Sequence, residues 1–216
     1  MNNKATLVIA AYKEDLSWLD NITNKDIDIV IINKGIHESH HKAKCITIKN
    51  VGVCDNSFCY YISEFYDQLS EYTIFSQGNP FDHYKNMLEF INNKSYEKTS
   101  LPKLGTYIGY KPLTDHYIYI PPKEGTDIFV EGMLDYKFNG INFPSGAQYC
   151  VCKKNIQSKP KKFWMDLFEY LDWEGNTFIA YFMERTWLLL YDDDININKE
   201  YLNSPYFFKY KNKFDE

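Results

Sequence analysis

Residues Ala5 to Ala11 read Ala-Thr-Leu-Val-Ile-Ala-Ala, a short and nearly continuous apolar run. A half-exposed strand alternates polar and apolar side chains, so an unbroken run fits a strand covered on both faces. Asp26 to Ile32 repeats the pattern as Asp-Ile-Asp-Ile-Val-Ile-Ile and stops at Asn33-Lys34-Gly35. Cys45 to Ile48 is a shorter third run, closed by Asn50-Val51-Gly52. Phe58, Ile62, Phe65, Tyr66 and Leu69 then recur at helical spacing, behind an Asp55/Asn56/Ser57 cluster of capping residue types. Tyr72 to Ser76 predicts a fourth strand, feeding the turn Gln77-Gly78-Asn79-Pro80, and a helix is expected from near Phe81 towards Ile91. Alternating strands and helices imply βαβ units and a largely parallel sheet. Ligands of such sheets bind beyond the carboxyl ends of the strands, where all this polar punctuation falls.

The second half reads differently. From 93 to 146, Pro, Gly and charged residues interrupt short aromatic runs such as Tyr117-Ile118-Tyr119-Ile120, the pattern of loops with small strands. Gln148 to Val151 predicts another strand. Phe163, Trp164, Leu167, Phe168 and Leu171 predict a helix after Pro160. Phe178 to Tyr191 is apolar almost all round, so a buried helix is expected, with Asp192-Asp193-Asp194 as its water-facing end. There is no internal repeat and no linker, and 216 residues suit one core, so a single domain over 1–216 is expected.

A net charge of −5 argues against a nucleic-acid-binding protein, which normally carries a basic face. A nucleotide ligand needs only a local cluster of donors or a metal. The aromatic share of 18% suits stacking surfaces, although an AT-rich coding sequence also supplies Tyr in excess. The 5 cysteines show no zinc-like pair of pairs and read as reduced thiols. Cys150 and Cys152 fall two apart in a strand and so share a face. No apolar run approaches a membrane span and no signal peptide opens the chain, so a cytoplasmic protein is expected.

The first-strand exit, Ala10-Ala11-Tyr12-Lys13-Glu14-Asp15, resembles the opening of GT-A glycosyltransferases. Asn50-Val51-Gly52 before a helix resembles the next element of that fold. The stretch from Tyr12 to Leu19, the block from Asn50 through Tyr72 to His83, and the later Gly146-Ala147-Gln148-Tyr149-Cys150-Val151 and Glu184-Arg185-Thr186-Trp187 together resemble a little-characterised GT-A-like family found in bacteria, eukaryotes and large DNA viruses. The resemblance reaches most of the chain except roughly 93–140. It implies an α/β fold, a single Rossmann-like GT-A domain with a mostly parallel central sheet flanked by helices.

For function, the resemblance implies a glycosyltransferase that moves a sugar from a nucleoside diphosphate sugar to a glycan or other hydroxyl acceptor. Tyr12 and Asp15 would hold the base, Asn50 and Gly52 the ribose-phosphate side, and Gln77, Asn79 and His83 the diphosphate or donor sugar, with Asn33 a further nucleotide-sugar-binding residue. GT-A enzymes usually place Asp-x-Asp at the fourth strand end, where it binds the divalent metal that bridges the diphosphate. Here those positions hold Gln77 and Asn79, neutral amides and poor magnesium ligands. Either Asp82 with His83 forms a displaced site for manganese or magnesium, or the mechanism is metal-independent, with Lys, Arg or His facing the leaving group. Asp82 also reads simply as a helix cap.

Glu184 and Arg185 interrupt an apolar helix, where either charge must pair, reach water or face a cleft. Glu184 is the candidate base for the acceptor hydroxyl, with a structural salt bridge as the competing reading. Asp172, Glu174, Glu131 and Asp135 are further candidates. His37, His40, His41, Lys42 and Lys44 suggest a metal or phosphate site, but Gly35 and the polar surroundings favour a solvated loop. Two other functions stay open: a non-catalytic nucleotide- or carbohydrate-binding module on the same fold, and a hydrolase built on Asp82 and His83.

Overall fold

The computed structural model describes residues 4–98, 102–103, 106–107, 109–121, 126–172 and 177–198. Three parallel strands open the chain: β1 (Ala5–Ala11), β2 (Ile27–Asn33) and β3 (Lys44–Thr47). A short 3-10 turn (Ser17–Asn21) joins the first two. Helix α1 (Val53–Phe65) then crosses back to β4 (Tyr72–Gln77), which pairs in parallel with β1. After α2 (Met87–Asn92) come the small strands β5 (Pro102–Lys103), β6 (Thr106–Tyr107), β7 (Tyr110–Pro112) and β8 (Tyr117–Ile120), then α3 (Thr126–Met133) and β9 (Ile141–Pro144). The described chain closes with β10 (Tyr149–Cys152), α4 (Lys153–Ile156), α5 (Lys161–Tyr170) and α6 (Thr177–Tyr191).

The central sheet has six strands in the order β3-β2-β1-β4-β10-β7, and β10 runs antiparallel to both neighbours. It is an α/β architecture with a mostly parallel sheet covered on both faces. Alternate residues of β1 supply the two cores. Leu7, Ile9 and Ala11 pack with Trp18, Leu19, Phe90 and Ile91, while Val8 and Ala10 face α1, α5 and α6. That double burial is the physical reason for the unbroken apolar run. Cys150 and Cys152 share the first of these faces, and all five cysteines are free thiols.

The aromatic residues are largely core material. Trp187 stacks on Tyr191 (centroids 5.3 Å) and on Trp164 (6.3 Å), and Tyr191 stacks on Phe75 (6.1 Å). This column joins α5 and α6 to the sheet.

Two expected helix starts differ. α1 begins at Val53, ahead of the Asp55/Asn56/Ser57 cluster, because Gly52 turns the chain at φ 58° and its carbonyl accepts the Asn56 amide. The three expected caps lie buried inside the helix instead. Asp55 accepts from Trp187 Nε1 at 2.5 Å, and Asn56 donates to the Phe168 carbonyl at 3.3 Å. The second helix does not start near Phe81. The His83 carbonyl is taken by the Asp115 amide at 2.7 Å and the Lys85 amide by the Asp115 carboxylate at 3.1 Å. Those groups are therefore lost to a helical ladder, and α2 starts only at Met87. Among the described residues, no helix is long and apolar enough to cross a membrane.

Candidate active site

At the carboxyl ends of β1 and β4 the sheet opens into a cleft of about 340 Å³. Ala10, Ala11 and Gln77 come from the strand ends, and Tyr12 and Glu14 from the β1 exit. Lys34 follows β2, and Asn50, Val53 and Cys54 come from the turn into α1. Strand order reverses here: the chain builds outward through β2 and β3, then returns to the other side of β1. Loops on either side of such a reversal diverge, which opens the crevice where α/β sheets bind ligands.

Each wall has a local cause. Glu14 curls back so that Oε2 accepts the amides of Tyr12 (2.6 Å) and Lys13 (3.0 Å). Gly78 makes room for that carboxylate, since a Cβ there would lie 2.7 Å from Glu14 Oε2. The Gly78 carbonyl in turn receives Trp18 Nε1 at 2.8 Å, which fixes the β4 exit against the β1–β2 connection. Gly35 lets the β2 exit pass close to Tyr12, as a Cβ there would sit 2.0 Å from the Tyr12 carbonyl oxygen.

Lys34 is the cation of the lining. Its ammonium is buried and donates to the carbonyls of Val51 and Val53, which clamps the β2 exit to the start of α1. Burial pulls its pKa down to about 8, and the nearby Cys54 and Asp55 pull the other way. The positive end of α1 reaches the same wall through Val53 and Cys54. Behind it, Asp55 is buried. Desolvation raises its pKa to about 7, opposed by the Trp187 hydrogen bond and reinforced by the charge of Glu184.

Of the residues expected at the site, Tyr12, Asn50 and Gln77 meet in this cleft, with Tyr12 exposed. Gly52 adjoins it, but the close approach its missing Cβ permits is to the Leu171 carbonyl, 2.1 Å from a built Cβ. Asp15 is turned away, accepting the Ser17 amide and hydroxyl at 2.9 Å each, and those bonds lower its pKa. Asn33 is buried in its own loop, where Oδ1 accepts from the Gly35 and His37 amides and Nδ2 donates to Thr47. Neither Asp15 nor Asn33 lines the cleft. Sequence position placed both at strand ends, yet each is spent on shaping its turn.

The β4 exit is similarly committed. Gln77 Nε2 donates to the Gly146 carbonyl at 2.8 Å, and Asn79 Nδ2 donates to the exposed Asp82 carboxylate at 2.9 Å. The His83 ring lies against Gly146, whose Cβ would come within 2.4 Å of it. Glu184 is half-buried on α6, and its Oε1 accepts the Gly146 amide at 2.5 Å. Its neighbour Arg185 lies over the rings of Phe143 and Tyr181 in cation–π contacts. Among the other candidate bases, Asp172 pairs with Lys49 at 3.6 Å and Glu131 accepts the Phe138 amide at 2.9 Å. Asp135 lies just past α3, and Glu174 lies outside the described residues. Asp193 pairs with Lys154 at 2.7 Å, in keeping with a solvated helix end.

Lys34, Glu14, Val53 and Cys54 line the cleft without having been singled out from sequence. For Lys34 a signal existed, a lone cation directly after a buried strand.

No family model matches the chain, and no curated protein matches it. Among solved structures it is similar to a 4-diphosphocytidyl-2C-methyl-D-erythritol synthase from Anaerococcus prevotii DSM 20548. That likeness has a TM-score of 0.39 and 14% identity, over 84% of this chain and 83% of the other. A likeness so distant carries no weight for the chemistry.

Proposed function

We propose that this chain is a glycosyltransferase that moves a sugar from a nucleoside diphosphate sugar to a hydroxyl acceptor. One observation carries the reading: the crevice at the strand reversal joins an exposed ring, two amides and a buried cation. Tyr12 stacks on the base, Asn50 reads the ribose side, and Gln77 meets the donor sugar. Lys34 and the positive end of α1 face the diphosphate and stabilise it as it leaves.

The residues beyond β4 do not fit a metal that bridges a diphosphate. Gln77 and Asn79 are neutral, and the Asp82 carboxylate already receives the Asn79 amide. The charge of the leaving group is therefore assigned to Lys34. Glu184 is proposed as the base: the acceptor oxygen attacks the anomeric carbon, its proton passes to Glu184, and the diphosphate leaves.

A thermal-shift panel of nucleoside diphosphate sugars, with and without manganese, tests the reading. Stabilisation by one donor without metal is expected. No response to any donor would sink it, and a response only with manganese would restore a metal at Asp82 and His83. A binding module is the second reading, favoured by the neutral Gln77 and Asn79. Donor hydrolysis that disappears in Glu184→Gln supports catalysis, and donor binding without turnover supports the module.

A further inference from the structure

Three side chains from two separate connections meet away from the cleft. Asp20 lies in the 3-10 turn Ser17–Asn21, and His40 and His41 sit in the tight bridge His40–Ala43 just before β3. His41 Nε2 lies 3.2 Å from Asp20 Oδ1, and His40 Nε2 lies 4.0 Å from the same oxygen. The two rings stack with centroids 4.8 Å apart and planes 22° apart, so both present their outer nitrogens towards one carboxylate. All three ligand atoms lie within 4.8 Å of one another.

We propose that Asp20, His40 and His41 form a site for a zinc-class divalent ion that clips the β2–β3 connection onto the β1–β2 connection. Zinc bonds of about 2.0–2.1 Å in a tetrahedron place ligand atoms roughly 3.3 Å apart. The His41–Asp20 edge already has that length, and rotation of the two exposed side chains, His41 and Asp20, closes the others. Two imidazoles and one carboxylate suit zinc, cobalt or nickel, and poorly suit calcium or magnesium, which take oxygen ligands.

One further feature supports the site. Lys42 pins the loop from behind, donating to the carbonyls of Asp20 (2.8 Å), Ile22 (3.2 Å) and Leu19 (3.4 Å), so the backbone is held in place before any ion arrives. One bond opposes the site: His40 Nδ1 accepts the Lys42 amide at 3.2 Å and must release it when Nε2 binds a metal. The open side, where His41 and Asp20 are exposed, leaves the fourth position to water.

The clip acts on the cleft through the backbone. The same β2–β3 connection begins with Lys34, and the Ile36 amide holds the Tyr12 carbonyl at 3.0 Å. The proposal is independent of which reaction the cleft performs.

Metal-stripped chain without an affinity tag would be titrated with zinc by calorimetry and with cobalt by visible absorption. One equivalent of zinc and a tetrahedral cobalt band are expected. His40→Ala and His41→Ala should each weaken zinc binding at least about tenfold and remove the band, as loss of a ligand does. His116→Ala, elsewhere on the surface, should bind as the unaltered chain does, with circular dichroism confirming that all variants fold. Failure of the unaltered chain to bind zinc overturns the proposal, as does unchanged binding in the His40→Ala/His41→Ala double variant.

Discussion

Gln77 and Glu184 grip the same residue from two separate elements: Gln77 donates to the Gly146 carbonyl, and Glu184 accepts the Gly146 amide. The end of β4 and the middle of α6 are thereby tied through one turn. Gln77 is thus a brace, and Glu184 is held in place by the same turn.

Gly146→Ala should be strongly destabilising. The residue has φ 99°, and a Cβ would meet His83 Cγ at 2.4 Å. A forced left-handed residue costs on the order of 1–3 kcal/mol, before any clash. Urea denaturation should show a loss at least this large, and a smaller one when the substitution is made in a His83→Ala background. Equal losses in the two backgrounds would mean that the ring yields without cost.

Gly78→Ala should separate binding from stability. The clashing group is the far end of Glu14, which can swing away, so the fold should tolerate the change. Glu14 then releases the amides of Tyr12 and Lys13, and the β1 exit loosens where the base is proposed to stack. Nucleotide affinity is expected to fall several-fold while the urea midpoint moves little. A collapse in stability with unchanged affinity is the contrary result.

Lys34 sets a pH dependence for ligand binding. Below about 8 it is an ammonium, and above that it loses its charge, so diphosphate affinity should be full at pH 7 and fall as pH rises through 8. A charge-assisted hydrogen bond contributes about 1.5–3 kcal/mol, so Lys34→Met should weaken nucleoside diphosphates roughly ten- to hundredfold and flatten that profile. Fluorescence or calorimetric titrations at pH 7 and 9 decide it. Equal affinity at both pH values in the unaltered chain would detach Lys34 from the phosphates.

The buried half of the sheet was legible because burial on both faces leaves a direct trace in sequence: β1, β2 and β4 appear within a residue of the apolar runs that predict them. The turn chemistry was legible as residue type but not as role. Asp15, Asn33 and Asn79 are the right kind of residue at a strand end, yet each carboxylate or amide finds a backbone or side-chain partner a few residues away. Local hydrogen bonding and ligand binding call for the same residue types, and spacing does not separate them. Asp55 departs from the expected cap for a related reason. A carboxylate in the first turn of a helix looks like a cap, and only the distant Trp187 makes it a core residue.

Asp55 should also leave a mark on stability. Unfolded, its carboxyl ionises near 3.8, and folded, burial raises that to about 7. Between these values the folded chain holds a proton that the unfolded chain has released. The stability tied to this group is therefore fully present below 3.8 and is lost as pH rises through 7. Asp55→Asn keeps a carbonyl acceptor for Trp187 and carries no charge. It should match the unaltered chain near pH 4, exceed it by a few kcal/mol at pH 8, and remove the slope between. Trp187→Phe should do the reverse. Without the indole N–H the ionised carboxylate has lost its partner, so destabilisation of about 1–3 kcal/mol or more is expected, larger at pH 8 than at pH 4. Urea midpoints at pH 4, 6 and 8 measure both. If the unaltered chain and Asp55→Asn ran parallel across that range, Asp55 would have to be ionised in both states, and the buried acid behind the cleft would need a cation closer than Lys34.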